Sequence, residues 1–113
     1  MTIIGYARVS TTDQDLSIQQ AALKAAGCEI IRAEKRSGTT TRGREALRTV
    51  LEFLHAGDVL MVTRIDRLAR SIGDLQDIVR IVRARGASLK ATEQPIDTGT
   101  AAGKCFLDML GVF

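Results

Sequence analysis

The sequence predicts a single α/β domain built on a mostly parallel four-stranded sheet of order 2-1-3-4, with helices on both faces. Three observations carry that reading. Apolar runs of strand length alternate with segments of helical periodicity, the pattern of a parallel sheet linked by crossover helices. Val59-Leu60-Met61-Val62 is a continuous apolar run, as expected of a central strand covered on both sides. Gly27, Gly57 and Gly86 follow the helical segments as stop signals.

Ile3 to Val9 reads as the first strand. Leu16, Gln20 and Leu23 lie at helical spacing and define a helix from Leu16 to Ala26. Its start is open, because Thr11 with Gln14 and Ser17 with Gln20 both fit capping boxes. Glu29 to Ala33 is a short second strand. Beyond a loop from Arg36 to Arg44, Leu47, Val50, Leu51 and Leu54 follow i, i+3, i+4, i+7 and mark the second helix. After the strand at Val59 comes a helix from Ile72 to Arg85, with Ile72, Leu75, Val79 and Val82 on one face and Ser71 and Asp74 at its start. Leu89 and its neighbours form the fourth strand, and an apolar helix begins near Thr100. Residues 1–113 are therefore expected to be one domain whose last helix is incomplete.

A chain of 113 residues can bury a core of its own, and 45% hydrophobic with 26% charged residues excludes disorder. A formal charge of +3 is only mildly basic, but twelve of the sixteen positive residues are Arg, whose planar fork suits phosphate. Cys28 and Cys105 are distant and unlike in surroundings, so both are expected to be small packing residues in a reducing compartment. Without a charged leader or an apolar run long enough to cross a bilayer, the expected location is the cytoplasm.

In a sheet of this order ligands bind outside the carboxyl ends of the strands, where the strand order reverses between strands 1 and 3. Arg8 and Ser10 follow the end of strand 1. Arg64, Asp66, Arg67 and Arg70 follow the end of strand 3, and the Arg36–Arg44 loop opens on the same edge. A serine hydroxyl needs a base, a field that stabilises its alkoxide, or a substrate whose charge is neutralised, and clustered Arg supply the last two.

Ordinary structural roles compete at each position. Ser10 taken alone is a turn or helix-start residue. Arg64, Arg67 and Arg70 fit a solvated helix face paired with Asp66. Gln19 lies beside the apolar stripe of the first helix, where a polar contact near Ser10 and an exposed position are equally expected, and Tyr6 fits the strand core. His55, at the end of the second helix, is explained by the negative helix terminus, which argues against a Ser-His-Asp triad. No His/Cys cluster has metal-ligand spacing. The run Gly99 to Lys104 has the wrong glycine spacing for a phosphate loop, with Cys105 where Ser or Thr is needed.

Gly5-Tyr6-Ala7-Arg8-Val9-Ser10-Thr11 with Gln14 and Gln19, Ser37-Gly38, Arg44-Glu45-Ala46-Leu47, Gly57-Asp58-Val59 and Asp66-Arg67-Leu68-Ala69-Arg70-Ser71 together resemble the resolvase/invertase family of serine site-specific recombinases. The resemblance covers nearly the whole chain. It implies that Ser10 attacks a DNA phosphodiester to leave a 5′-phosphoserine link, without metal or nucleotide cofactor. It further implies that Arg8, Arg67 and Arg70 hold the phosphate, that Asp66 orients an Arg or takes part in proton transfer, and that Arg44, Gln14, Gln19 and Tyr6 are further site positions. Double-stranded DNA is the implied partner, and the family works through self-association into dimers and tetramers.

Two departures bear on these expectations. An extra residue between Thr39 and Arg44 makes Arg42 an alternative to Arg44, and the rest of the last helix and the helix-turn-helix DNA-binding domain of the family are missing. A catalytic domain is the leading reading. A non-catalytic remnant or regulatory partner that keeps the fold is the second, and a small phosphate- or nucleotide-binding module, disfavoured by the lack of a glycine-rich phosphate loop, is the third.

Overall fold

The computed structural model describes residues 2–9, 13–35, 45–65, 68–69, 71–93 and 97–109. Four strands, β1 (Ile3–Val9), β2 (Ile30–Lys35), β3 (Val59–Val62) and β4 (Ser88–Ala91), form one sheet in the order β2-β1-β3-β4. Every neighbouring pair is parallel. Helices α1 (Asp13–Ala25), α2 (Glu45–Phe53) and α3 (Ile72–Ala84) connect them, and α4 (Ala101–Met109) follows β4.

The alternation of side chains along β1 divides the core in two. Ile4 and Tyr6 share a face with Leu60, Val62 and Leu89, and this face packs on Leu47, Val50 and Leu51 of α2 and on Leu75, Val79 and Val82 of α3. Ala7 and Met61 point the other way and meet Leu16 and Leu23 of α1. Each large apolar side chain fully buried in this way contributes on the order of 2 kcal/mol. Gly5 lets α1 approach closely, since a Cβ there would lie 3.0 Å from Cys28 Sγ and 3.2 Å from Leu23 Cδ1.

Strand order, helix placement and the β3 run agree with the sequence-based expectation, and two boundaries move. α1 starts at Asp13, ahead of Leu16, at an end that the two capping boxes had left open. β2 runs to Lys35 rather than Ala33, because the longer β1 offers it a partner as far as Val9. α3 is capped as its sequence predicts, with the Ser71 side chain accepting the Asp74 N–H. Gly86 closes it at a φ of 74°. The outer edge of β4 is covered by residues 97–98: Thr98 N–H donates to the Leu89 carbonyl, Leu89 N–H donates to Thr98 Oγ1, and Asp97 pairs antiparallel with Lys90. Gly103 packs so tightly on Asp97 that a Cβ would overlap its backbone, which ties α4 to that edge.

At the amino ends of the strands a single carboxylate joins three segments. Asp58, which is buried, accepts the Thr2 N–H on Oδ1 (3.1 Å) and the His55 N–H on Oδ2 (2.9 Å). These two backbone bonds, that of His55 first, hold the Asp58 carboxyl below its ordinary pKa. A group with a lowered folded pKa stabilises the fold above its unfolded pKa, and that contribution is lost as the pH falls through the folded value. Asp58→Asn, which sets an NH₂ against one of the two donors, is expected to cost about 1–3 kcal/mol at neutral pH. Urea denaturation across the acid range should show the gap from the parent chain largest near neutrality and closing as the carboxylate protonates.

Candidate active site

The carboxyl ends of β1 and β3 lie side by side, so the predicted crevice has its two walls. They do not run equally far. β1 pairs with β2 through Val9, whereas its register with β3 covers only Ile3–Gly5 against Val59–Met61. Past that point β3 turns to the other side: the Val62 and Thr63 carbonyls accept the N–H groups of Thr92 and Glu93, which follow β4. The switch point is therefore an opening in the hydrogen-bonded ladder between two neighbouring strands.

Arg8 stands on the β1 wall of this opening and is 7% exposed. Its backbone is gripped by a side chain of α1: Arg8 N–H donates to Gln19 Oε1 (3.3 Å), and Gln19 Nε2 donates to the Arg8 carbonyl (3.1 Å). Gln19 is itself 4% exposed, which decides between the two placements its sequence position allowed. Two residues earlier on the same face, Tyr6 is fully buried as expected of a core position, yet its hydroxyl donates to Glu34 Oε2 at 2.5 Å. A bond that short is typical of a hydroxyl donating to a carboxylate. Glu34 is also the register partner of Arg8 across the β1–β2 ladder. The edge thus presents a buried guanidinium with an acid on the adjoining strand.

Glu34 was not legible as a site residue, because ending β2 at Ala33 leaves it in a loop. The one available signal was its sign, an acid next to basic residues at the end of a strand.

Across the opening, Arg64 is exposed and the chain turns back into the core. Leu68 and Ala69 both donate backbone N–H groups to the Ile65 carbonyl, and their side chains are buried. Ser10, Arg44, Asp66, Arg67 and Arg70 lie outside the described residues, as does Arg42. Gln14 falls in the first turn of α1, and its side chain is outside the described part.

Other candidates are placed elsewhere. His55 sits near Asp58 at the amino end of β3, with its ring Nδ1 3.8 Å from the carboxylate, far along the sheet from Arg8. Among the described residues no group of three or more His, Cys, Asp or Glu could hold a metal ion. In the glycine-rich run before α4 the donors a phosphate would need are engaged, Gly99 N–H with Asp97 Oδ1 and Gly103 N–H with Thr100 Oγ1. Cys28 packs with its Sγ 3.6 Å from Met61 Sδ, and burial raises its thiol pKa. Cys105 is exposed, which corrects its expected packing role. A cleft of about 340 Å³ lined by Ile4, Ile30, Arg32, Val50 and Phe53 lies at the amino ends of β1 and β2. It contains none of the predicted site residues, so its volume does not identify the chemistry. No described helix is long and apolar enough to cross a membrane.

Comparison with known proteins agrees with this architecture. The chain is 62% identical over all 113 residues to the integrase-like protein y4lS of Sinorhizobium fredii (strain NBRC 101917 / NGR234), covering 62% of that protein. It is 42% identical over 109 residues to the serine recombinase gin of Escherichia phage Mu, covering 96% of this chain and 56% of the relative. The chain thus spans about three-fifths of the length of these relatives. The N-terminal catalytic domain of TP901-1 integrase superposes with a TM-score of 0.76 over 98% of this chain and 92% of that one, at 22% identity, and so shares its fold. The family described as the resolvase N-terminal domain matches residues 3–113, and the chain is a member of it.

Proposed function

We infer that the chain is the catalytic domain of a site-specific DNA recombinase in which Ser10 is the nucleophile. Ser10 Oγ attacks a backbone phosphorus, the bond from phosphorus to the 3′-oxygen breaks, and the serine proton is passed on to the leaving 3′-hydroxyl. The DNA end is held as a 5′-phosphoserine ester. Attack by a 3′-hydroxyl on that ester reverses the step, and because one phosphate ester replaces another, no nucleotide need be consumed. In phosphoryl transfer the protein acts by positioning and by stabilising charge on the non-bridging oxygens. Arg8, Arg67 and Arg70 are assigned that work, with Arg44 as a further phosphate contact and Asp66 orienting an Arg or moving the proton. Double-stranded DNA is the substrate, and a second copy of the chain is the partner that brings a nucleophile to the other strand.

The observation that carries this reading is the opening itself. Arg8 is buried at the end of β1, two residues before Ser10, and β3 beside it leads into the segment that bears Asp66, Arg67 and Arg70. Relatives named as serine recombinases and DNA-invertases support the same reaction class.

A chimera in which residues 1–113 replace the matching segment of the phage Mu recombinase, given that protein's own DNA site as a nicked duplex, tests the assignment. Covalent protein–DNA adducts should form and should fall below about 1% of that level in Ser10→Ala, with DNA binding kept, since phosphate contacts and base recognition reside elsewhere. Adducts that persist in Ser10→Ala, or none from the parent chimera, would overturn it. In the chain itself, Tyr6→Phe is expected to destabilise by about 1 kcal/mol, because the half-buried Glu34 carboxylate loses a charge-assisted donor. Urea denaturation followed by circular dichroism measures that loss.

A further inference from the structure

Gln19 does something at the opening that no strand residue does. Along β1 the backbone groups face β2 and β3 alternately: the Thr2 carbonyl accepts from Val59 on the β3 side, and the Ile3 carbonyl accepts from Glu29 on the β2 side. By that alternation the N–H and carbonyl of Arg8 face β3. Carried on, the β1–β3 register would set the Thr63 carbonyl against the Arg8 N–H and the Ile65 N–H against the Arg8 carbonyl, and the Thr63 carbonyl is engaged with Glu93 instead. The Arg8 N–H, buried at the switch point, thus does not find its acceptor on Thr63, and a buried polar group without one is costly. The Gln19 carboxamide supplies one acceptor to the Arg8 N–H and one donor to the Arg8 carbonyl, the pair that two residues of a continuing parallel strand would offer.

We propose that Gln19 is a positioning residue whose carboxamide stands in for a continuation of β3 beside Arg8, so that β1 stays straight and registered where β3 has left it. The direction in which β1 leads toward Ser10 is then fixed from α1. Gln19 bonds the Arg8 backbone through both polar atoms of its amide, and its part in the reaction rests on the recombinase reading above. The requirement is chemical as well as steric. A carboxylate at this position could accept from the Arg8 N–H but could not donate to the Arg8 carbonyl, whereas a protonated carboxyl could do both.

Backbone amide exchange on the chain itself, read residue by residue, tests the substitute-strand role. In Gln19→Leu the protection of the Arg8 amide should fall at least about tenfold, while the amides of Leu60 and Leu89 stay within about twofold of the parent. Unchanged protection at Arg8 would overturn the proposal. Where Gln19→Leu lowers protection throughout the sheet, Gln19→Glu decides. Its Arg8 protection, taken as a ratio to the parent at each pH, should be low near neutrality and recover as the introduced carboxyl protonates, and a ratio that does not change with pH would overturn the proposal. In the recombinase chimera, adduct formation by Gln19→Glu should show the same acid recovery relative to the parent, with DNA affinity unchanged. Loss of DNA affinity in place of rate would assign Gln19 to phosphate contact and overturn the positioning role. A parent chimera that forms no adducts would strike the recombinase reading while leaving the exchange result to stand on its own.

Discussion

Strand β1 is seven residues long and has partners on both sides for only the first part of its length. What it lacks beyond Gly5 must be supplied, because Tyr6, Ala7 and Arg8 are all buried and an interior backbone group without a hydrogen bond is expensive. Much of the site follows from how this is met. β2 extends alongside to Lys35, β3 departs toward β4, and a helix side chain closes the ladder where no strand remains. An open parallel sheet has a crevice at its reversal point by topology, but a crevice with ragged backbone would not hold a guanidinium in place. Here the backbone of Arg8 is held by both polar atoms of the Gln19 amide.

The two ends of the sheet have separate duties. At the amino end Asp58 binds the start of β1 to the turn before β3, an arrangement concerned with holding strands together. At the carboxyl end Arg8, Gln19, Tyr6 and Glu34 gather polar and charged groups within one buried patch. The cleft lined by Ile4, Ile30, Arg32, Val50 and Phe53 is at the first of these ends and the candidate site residues are at the second, so a cavity and the polar cluster lie at opposite ends of the sheet. For the proposed reaction the polar cluster is the better guide, since transfer of a phosphoryl group between oxygens requires charge and alignment more than an enclosing pocket.

The elements whose signals are local were legible in the sequence. The Val59–Val62 run, the Ser71 cap and the Gly86 stop each rest on a few adjacent residues, and each is found where it was expected. Tyr6 as a core residue and Arg8 at the crevice were likewise legible from the alternation of β1 and the strand order. Gln19 and Glu34 were harder, for a common reason. The role of Gln19 depends on where β3 stops pairing with β1, and that of Glu34 depends on how far β2 continues. Both are properties of strand pairing between segments remote in sequence, and neither leaves a mark on its own neighbourhood. The extra length of β2 shows the same limit, because Glu34-Lys35 looks like the start of a polar loop until β1 is laid beside it.

Tyr6 is the only tyrosine in a chain that has no tryptophan, and its phenol is hydrogen-bonded to a carboxylate one position from Arg8 in the ladder. The intrinsic fluorescence of the whole chain therefore originates at a single ring inside the candidate site, in contact with a group that quenches it. A change that draws Glu34 away from the phenol removes that quenching contact and alters the emission. The domain carries its own optical gauge, and occupancy of the crevice can be followed in solution without attaching a dye.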